Sequence, residues 1–138
     1  MNTTTSIGER KTLDYHLKTD DFESVSDLSF IRLIIRTNPK LDQKNQRFCA
    51  WYVLGKNWKN HFQRKSFNHP QYTKKETNMK KNDLIVYFNE FNEWTHIGKI
   101  SKNQKIISKW GSGYVYEHSL WQIPTFYGTT YKLFRCKN

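Results

Sequence analysis

A chain of 138 residues that is 36% hydrophobic and 16% aromatic is long enough for one domain-sized core and too rich in large rings to stay disordered throughout. Its formal charge of +11 is uneven: residues 40–81 hold eleven Lys/Arg against Asp42 and Glu76, a net +9, while residues 1–39 carry −1 and residues 82–138 carry +3. Two cysteines, Cys49 and Cys136, exclude a disulfide framework, so the thiols are expected reduced, and the absence of a long apolar run excludes a transmembrane helix.

Residues 1–18 are Thr-rich and polar without a sustained apolar period, which predicts an N-terminal arm ahead of one domain spanning residues 19–138. Met1 to Thr12 are polar and hold no signal-peptide apolar stretch, so the expected location is the cytoplasm, or outside the cell without a cleaved signal peptide. From Phe22 to Arg36 the apolar residues Phe22, Val25, Leu28, Ile31 and Ile35 recur three or four apart, after Thr19 and Asp20 as N-cap candidates and before Asn38-Pro39. That spacing predicts a helix, although the β-branched tail from Ile31 to Ile35 also fits a strand. A second helix is expected from Phe48 through Trp58 and Phe62, with Gly55 as a C-cap or a point of close packing. Residues 63–81, basic and interrupted by Pro70, read as a connecting loop.

The period then shortens. Five β-rich runs, Leu84 to Phe88, Thr95 to Ile100, Lys105 to Trp110, Tyr114 to Tyr116 and Tyr131 to Cys136, alternate with turn chemistry such as Lys102-Asn103-Gln104 and Gly111-Ser112-Gly113. The expected fold class is therefore α+β, with N-terminal helices packed on an antiparallel meander of about five strands.

Cys49 stands where a polar loop meets a helix start. Backbone N–H groups there stabilise a thiolate, although a buried, inert thiol fits the same position. His96, in Trp94-Thr95-His96-Ile97-Gly98, sits early on a strand 47 residues further on and is placed to accept a thiol proton from another element. A satisfied sheet histidine is the alternative.

In order and spacing, Phe48-Cys49-Ala50-Trp51, Asn82-Asp83-Leu84-Ile85-Val86-Tyr87 and Thr95-His96-Ile97-Gly98 resemble the NlpC-type branch of the papain-like cysteine peptidases and amidases. The resemblance runs from about residue 45 to the C-terminus. It implies a papain-like fold, Cys49 as nucleophile and His96 as base. Asn82 replaces the usual Gly, a turn position that Asn also tolerates. The family's third, orienting position falls near Ser108, with His118 or Glu117 as substitutes from the next element. Trp51, Lys109, Trp110 and Glu117 are candidate substrate contacts, and Lys109 suits an anionic group or plain solvation.

His61 and His69 lack metal-ligand spacing, so neither a metal nor a cofactor is assigned. Three functions remain open: a thiol-dependent hydrolase or transferase acting on an amide or acyl bond of a peptide or related substrate, a basic nucleic-acid-binding module, and a catalytically inactive papain-like binding domain. The second would use residues 40–81 for an anionic partner, with Trp51, Trp58, Phe62 and Tyr72 as stacking rings. Oligomeric state is not legible.

Overall fold

The computed structural model describes residues 3–18, 21–36, 49–76, 78–111 and 113–137. The polar stretch expected as an arm forms helix α1 (Thr3–Leu17), and Leu13 and Leu17, four apart on one face, enter the core. The helix expected over residues 22–36 divides in two. Helix α2 (Phe22–Ser26) is capped by the Asp21 carboxylate on the Ser24 amide at 3.1 Å, and the chain then turns into strand β1 (Arg32–Ile35). Cross-strand pairing of Arg32 with Glu117 and Leu33 with Tyr116 decides the β-branched tail in favour of the sheet.

Helix α3 (Cys49–Leu54) stops at Gly55, whose φ of +85° suits only a residue without a Cβ, so the expected continuous helix breaks there. A 3-10 turn (Trp58–His61) and three short strands follow: β2 (Phe62–Gln63), β3 (Ser66–Phe67) and β4 (Tyr72–Lys75). The segment expected as loop thus holds β3, β4 and the end of β2; Lys40 to Phe48 lie outside the described residues. The five expected runs form β5 (Leu84–Phe88), β6 (Trp94–Ile100), β7 (Ile106–Lys109), β8 (Val115–His118) and β9 (Thr130–Cys136).

These strands do not build a helix-packed, papain-like α+β domain. The described residues are mostly antiparallel sheet: seven strands in the order β1-β8-β7-β6-β5-β9-β4, beside a separate β2-β3 pair, with few helices. The expectation fails because β1 and β4, read as helix tail and loop, each add an edge strand. In addition, β9 returns to pair with β5 in the interior instead of ending the meander.

Strand β5 is buried along its whole length, and its side chains alternate between two cores. Ile85 and Tyr87 face a core shared with Leu13, Val25 and Trp110; Leu84, Val86 and Phe88 face one shared with Cys49, Ala50, Phe67 and Phe134. Helices α1 and α2 therefore cover one face of the sheet and α3 the other.

Asp83, 2% exposed at the start of β5, ties that strand to β9: its oxygens accept from Arg135 Nε and Nη2, both at 2.9 Å, and from the Lys80 amide at 3.0 Å. Burial alone would raise the Asp83 pKa, but the Arg135 and Lys80 bonds outweigh it and hold the carboxyl below its usual range. Asp83→Asn keeps the shape and loses the charge, and is expected to cost roughly 1.5–3 kcal/mol. Urea unfolding at neutral pH checks this; an unchanged midpoint would mean the pair contributes nothing.

Candidate functional site

Strand β6 outruns its neighbour. Its register with β7 pairs Lys99 with Ile107 and Ile100 with Ile106, and β7 ends at Lys109, opposite Ile97, so the stretch from Trp94 to His96 runs past the end of β7, with the Trp94 amide bonded instead to the Arg64 carbonyl at 3.1 Å. A β-bulge adds to this. Tyr87 pairs with His96 and Phe88 with Trp94, leaving Thr95 as an extra residue whose hydroxyl donates to the Tyr127 carbonyl and lies 3.3 Å from that of Tyr87. In the gap lies a cavity of about 230 Å³ lined by Cys49, Ala50, Trp58, Trp94, Thr95, His96, Gly111 and Tyr127. Cys49 enters from the α3 face of the sheet and His96 from the α1 face, and the early end of β7 lets both reach one space.

Cys49 is 7% exposed, and burial pushes its thiol up to about 11. Backbone amides of Ile97, Ala50 and Cys49 itself pull the other way, as does the nearby Lys109 ammonium. The site thus stabilises negative charge at the sulfur but remains too dry to keep it at neutral pH.

His96 is 1% exposed, and neither ring nitrogen has a hydrogen-bond partner among the described residues. Its ring stacks on Tyr127, centroids 4.1 Å apart and planes 11° off parallel, and leans on Tyr87 at 5.8 Å. Desolvation, with a smaller contribution from His118, holds its pKa well below the ordinary imidazole value. Buried donors and acceptors left unpaired cost on the order of 1–3 kcal/mol each, so an orphaned imidazole is uncommon in a structural position.

The expected orienting residues are engaged with each other. Ser108 Oγ lies 2.7 Å from His118 Nε2 and accepts from Trp110 Nε1 at 3.0 Å, while His118 Nδ1 lies 2.8 Å from the Ser119 carbonyl. A carbonyl only accepts, so Nδ1 carries the proton and Nε2 takes the Ser108 hydroxyl proton. No bond from either reaches His96. Trp110 is fully buried. Lys109, 2% exposed, donates from Nζ to the Gly113 carbonyl. Glu117 pairs with Arg32 at 3.2 Å and accepts from Ser101 at 3.2 Å, and Trp51 is half-buried on α3. The rings expected for base stacking pack on neighbours: Trp58 meets Phe62 and Trp94, and Tyr72 meets Phe67 and His69.

Tyr127 is the site residue that sequence reasoning missed. It follows Pro124 in a 3-10 turn (Thr125–Tyr127) and precedes Gly128, where φ is +146° and a Cβ would come within 2.9 Å of Tyr87 Cβ. Nothing in the local sequence shows that its ring covers His96.

Among the described residues no group of three or more His, Cys, Asp or Glu is placed to hold a metal ion, and no helix is long and apolar enough to cross a membrane.

His118, like His96, is held neutral: burial, opposed by its bond to the Ser119 carbonyl, brings its pKa down to about 4. In the unfolded chain both imidazoles protonate near ~6.5, so between there and pH 4 the unfolded state binds more protons and folding stability falls as the pH drops. From His118 alone the loss by pH 4 approaches about 3 kcal/mol. Urea unfolding at pH 7 and pH 4 measures it; equal stabilities would show that these rings are solvated.

No curated protein and no solved structure matches this chain. One protein-family model does: it covers residues 41–135, more than half of the chain, and spans α3, β5 to β8, all of β9 but its last residue, and every residue lining the cavity. The chain belongs to the family described as a domain of unknown function, DUF7689.

Proposed function

We propose that the protein is a thiol-dependent hydrolase or transferase acting on an amide or acyl bond, with Cys49 as nucleophile and His96 as proton acceptor and donor. The observation that carries this reading is the convergence of a buried thiol and an imidazole with two unpartnered nitrogens on one cavity, from elements on opposite faces of the sheet.

The chemistry runs in two balanced steps. The Cys49 proton passes to a His96 ring nitrogen as sulfur bonds to the substrate carbonyl carbon, and the oxyanion forms where the backbone amides of Ile97, Ala50 and Cys49 already favour negative charge. Collapse breaks the bond to the leaving group, which departs with the proton from His96 and leaves a thioester. Water, or a second nucleophile in a transferase, then gives its proton to His96 and releases the acyl group, and the thiol is restored.

A raised thiol and a lowered imidazole mean that the resting pair is neutral. Charge separation ahead of attack is uphill, so proton transfer is coupled to carbon–sulfur bond formation. Stacking on Tyr127, instead of a hydrogen-bonded third side chain, fixes the imidazole plane.

Incubation with p-nitrophenyl acetate, followed by peptide mapping, tests the assignment. An acetyl group is expected on Cys49, abolished in Cys49→Ala and slowed about 100-fold or more in His96→Asn, while the exposed Cys136 reacts alike in all three proteins. Acylation of Cys136 alone, or a Cys49 rate indifferent to His96, would sink the proposal. Alkylation of Cys49 by iodoacetamide is expected to rise with pH towards a midpoint near 11, beyond that of an ordinary thiol. A midpoint near ~8.5 would show a solvated sulfur.

A further inference from the structure

Helix α1 lies outside residues 41–135, yet it grips the loop that places Tyr127 in the cavity wall. Arg10 Nε donates to the Ile123 carbonyl at 3.0 Å, and Nη2 faces the carbonyls of Gly128 at 2.6 Å, Pro124 at 3.1 Å and Thr125 at 3.3 Å. One turn along α1, the Asp14 carboxylate accepts from the Thr125 amide at 2.7 Å and from its hydroxyl at 2.5 Å. The Arg10 guanidinium also sits 5.4 Å over Trp121, whose ring meets Tyr87 at 5.8 Å. Both lines of contact end at one side chain, because Tyr127 in the gripped loop stacks on His96 and Tyr87 is its cross-strand partner.

We propose that Arg10 is a positioning residue for His96: by gathering the carbonyls of residues 123, 124, 125 and 128 it holds the Tyr127 ring against the imidazole and keeps water from its face. A guanidinium presents five N–H groups in a planar fork, which suits several convergent carbonyls; a lysine ammonium in its place has a single nitrogen and cannot span them. Those carbonyls, without Arg10, turn to water and carry the loop outward.

Loosening the loop wets both reacting groups. The titratable groups around His96 are Tyr87 on β5, Tyr127 in the loop, His118 on β8 and, across the cavity, Cys49 on α3, with Lys109 on β7 acting on Cys49. None is a carboxylate, so only water raises the imidazole pKa when Tyr127 moves away. Hydration also lowers the thiol pKa, and both groups approach the range in which a proton moves between them. The consequence for turnover rests on the thiol-chemistry reading; the positioning does not.

The test uses the full chain with Arg10→Ala, Arg10→Lys and, as a control on the exposed side of α1, Lys11→Ala. NMR follows the His96 ring protons against pH, assigned with His96→Asn, and iodoacetamide labelling compares Cys49 with Cys136. Arg10→Ala is expected to raise the His96 midpoint by about one pH unit or more and to speed Cys49 labelling about tenfold or more, with Cys136 unchanged. Arg10→Lys follows Arg10→Ala, and Lys11→Ala matches the unsubstituted protein. A His96 titration unmoved in Arg10→Ala, or Cys49 and Cys136 accelerating together, overturns the proposal. If Arg10→Ala does not fold, Asp14→Ala, which removes both side-chain acceptors of Thr125, must move both readouts in the same direction by less; no movement overturns it equally. A shifted His96 in a protein that Cys49 acylation has shown to be inert sinks the enzymatic reading and leaves the role of Arg10 standing.

Discussion

The early end of β7 is the constraint from which the site follows. In a complete sheet the α3 face and the α1 face are separated by an unbroken hydrogen-bonded layer, and a sulfur on one side does not meet an imidazole on the other. Here β6 continues past the last residue of β7, and the chain turns away through Gly111 at a φ of +57°. The resulting gap holds the cavity and exposes the Ile97 amide to Cys49.

Around that gap the molecule is unusually dry. Tyr127 and Trp94 wall it with rings, the Ser108–His118–Trp110 network beside it satisfies itself internally, and Arg10 holds the covering loop from outside. Desolvation is accordingly the largest influence on Cys49, His96 and His118 alike, and it pushes each towards its neutral form.

Much of the sheet was legible because β5 to β9 carry β-branched and aromatic runs separated by Asn and Gly turns, a local signal that needs no tertiary context. Cys49 and His96 were singled out on the same basis, residue type at an element boundary. What escaped depends on distant partners. Ile31 to Ile35 fits both a helix and a strand in spacing, and Arg32 to Ile35 becomes a strand because β8 offers an edge; Tyr72 to Lys75 reads as polar loop and becomes a strand because β9 does the same. The role of Tyr127 is invisible for a similar reason, since its ring reaches His96 through a loop whose carbonyls are held by a residue more than a hundred positions earlier. Ser108 and His118 illustrate the reverse case: both occur where polar orienting groups were sought, and both bond to each other.

The bulge at Thr95 gives β6 a reading frame. Upstream of it Trp94 faces the α3 side opposite Phe88, and downstream His96 faces the α1 side opposite Tyr87. Two-residue periodicity means that losing the single extra residue swaps the side on which everything before it points, or drags the imidazole across the layer. Length at this point of the strand is thus as constrained as identity: in any chain that keeps this site, insertions and deletions are tolerated in the hairpin tip around Phe91 and Asn92 and not between Trp94 and Ile97.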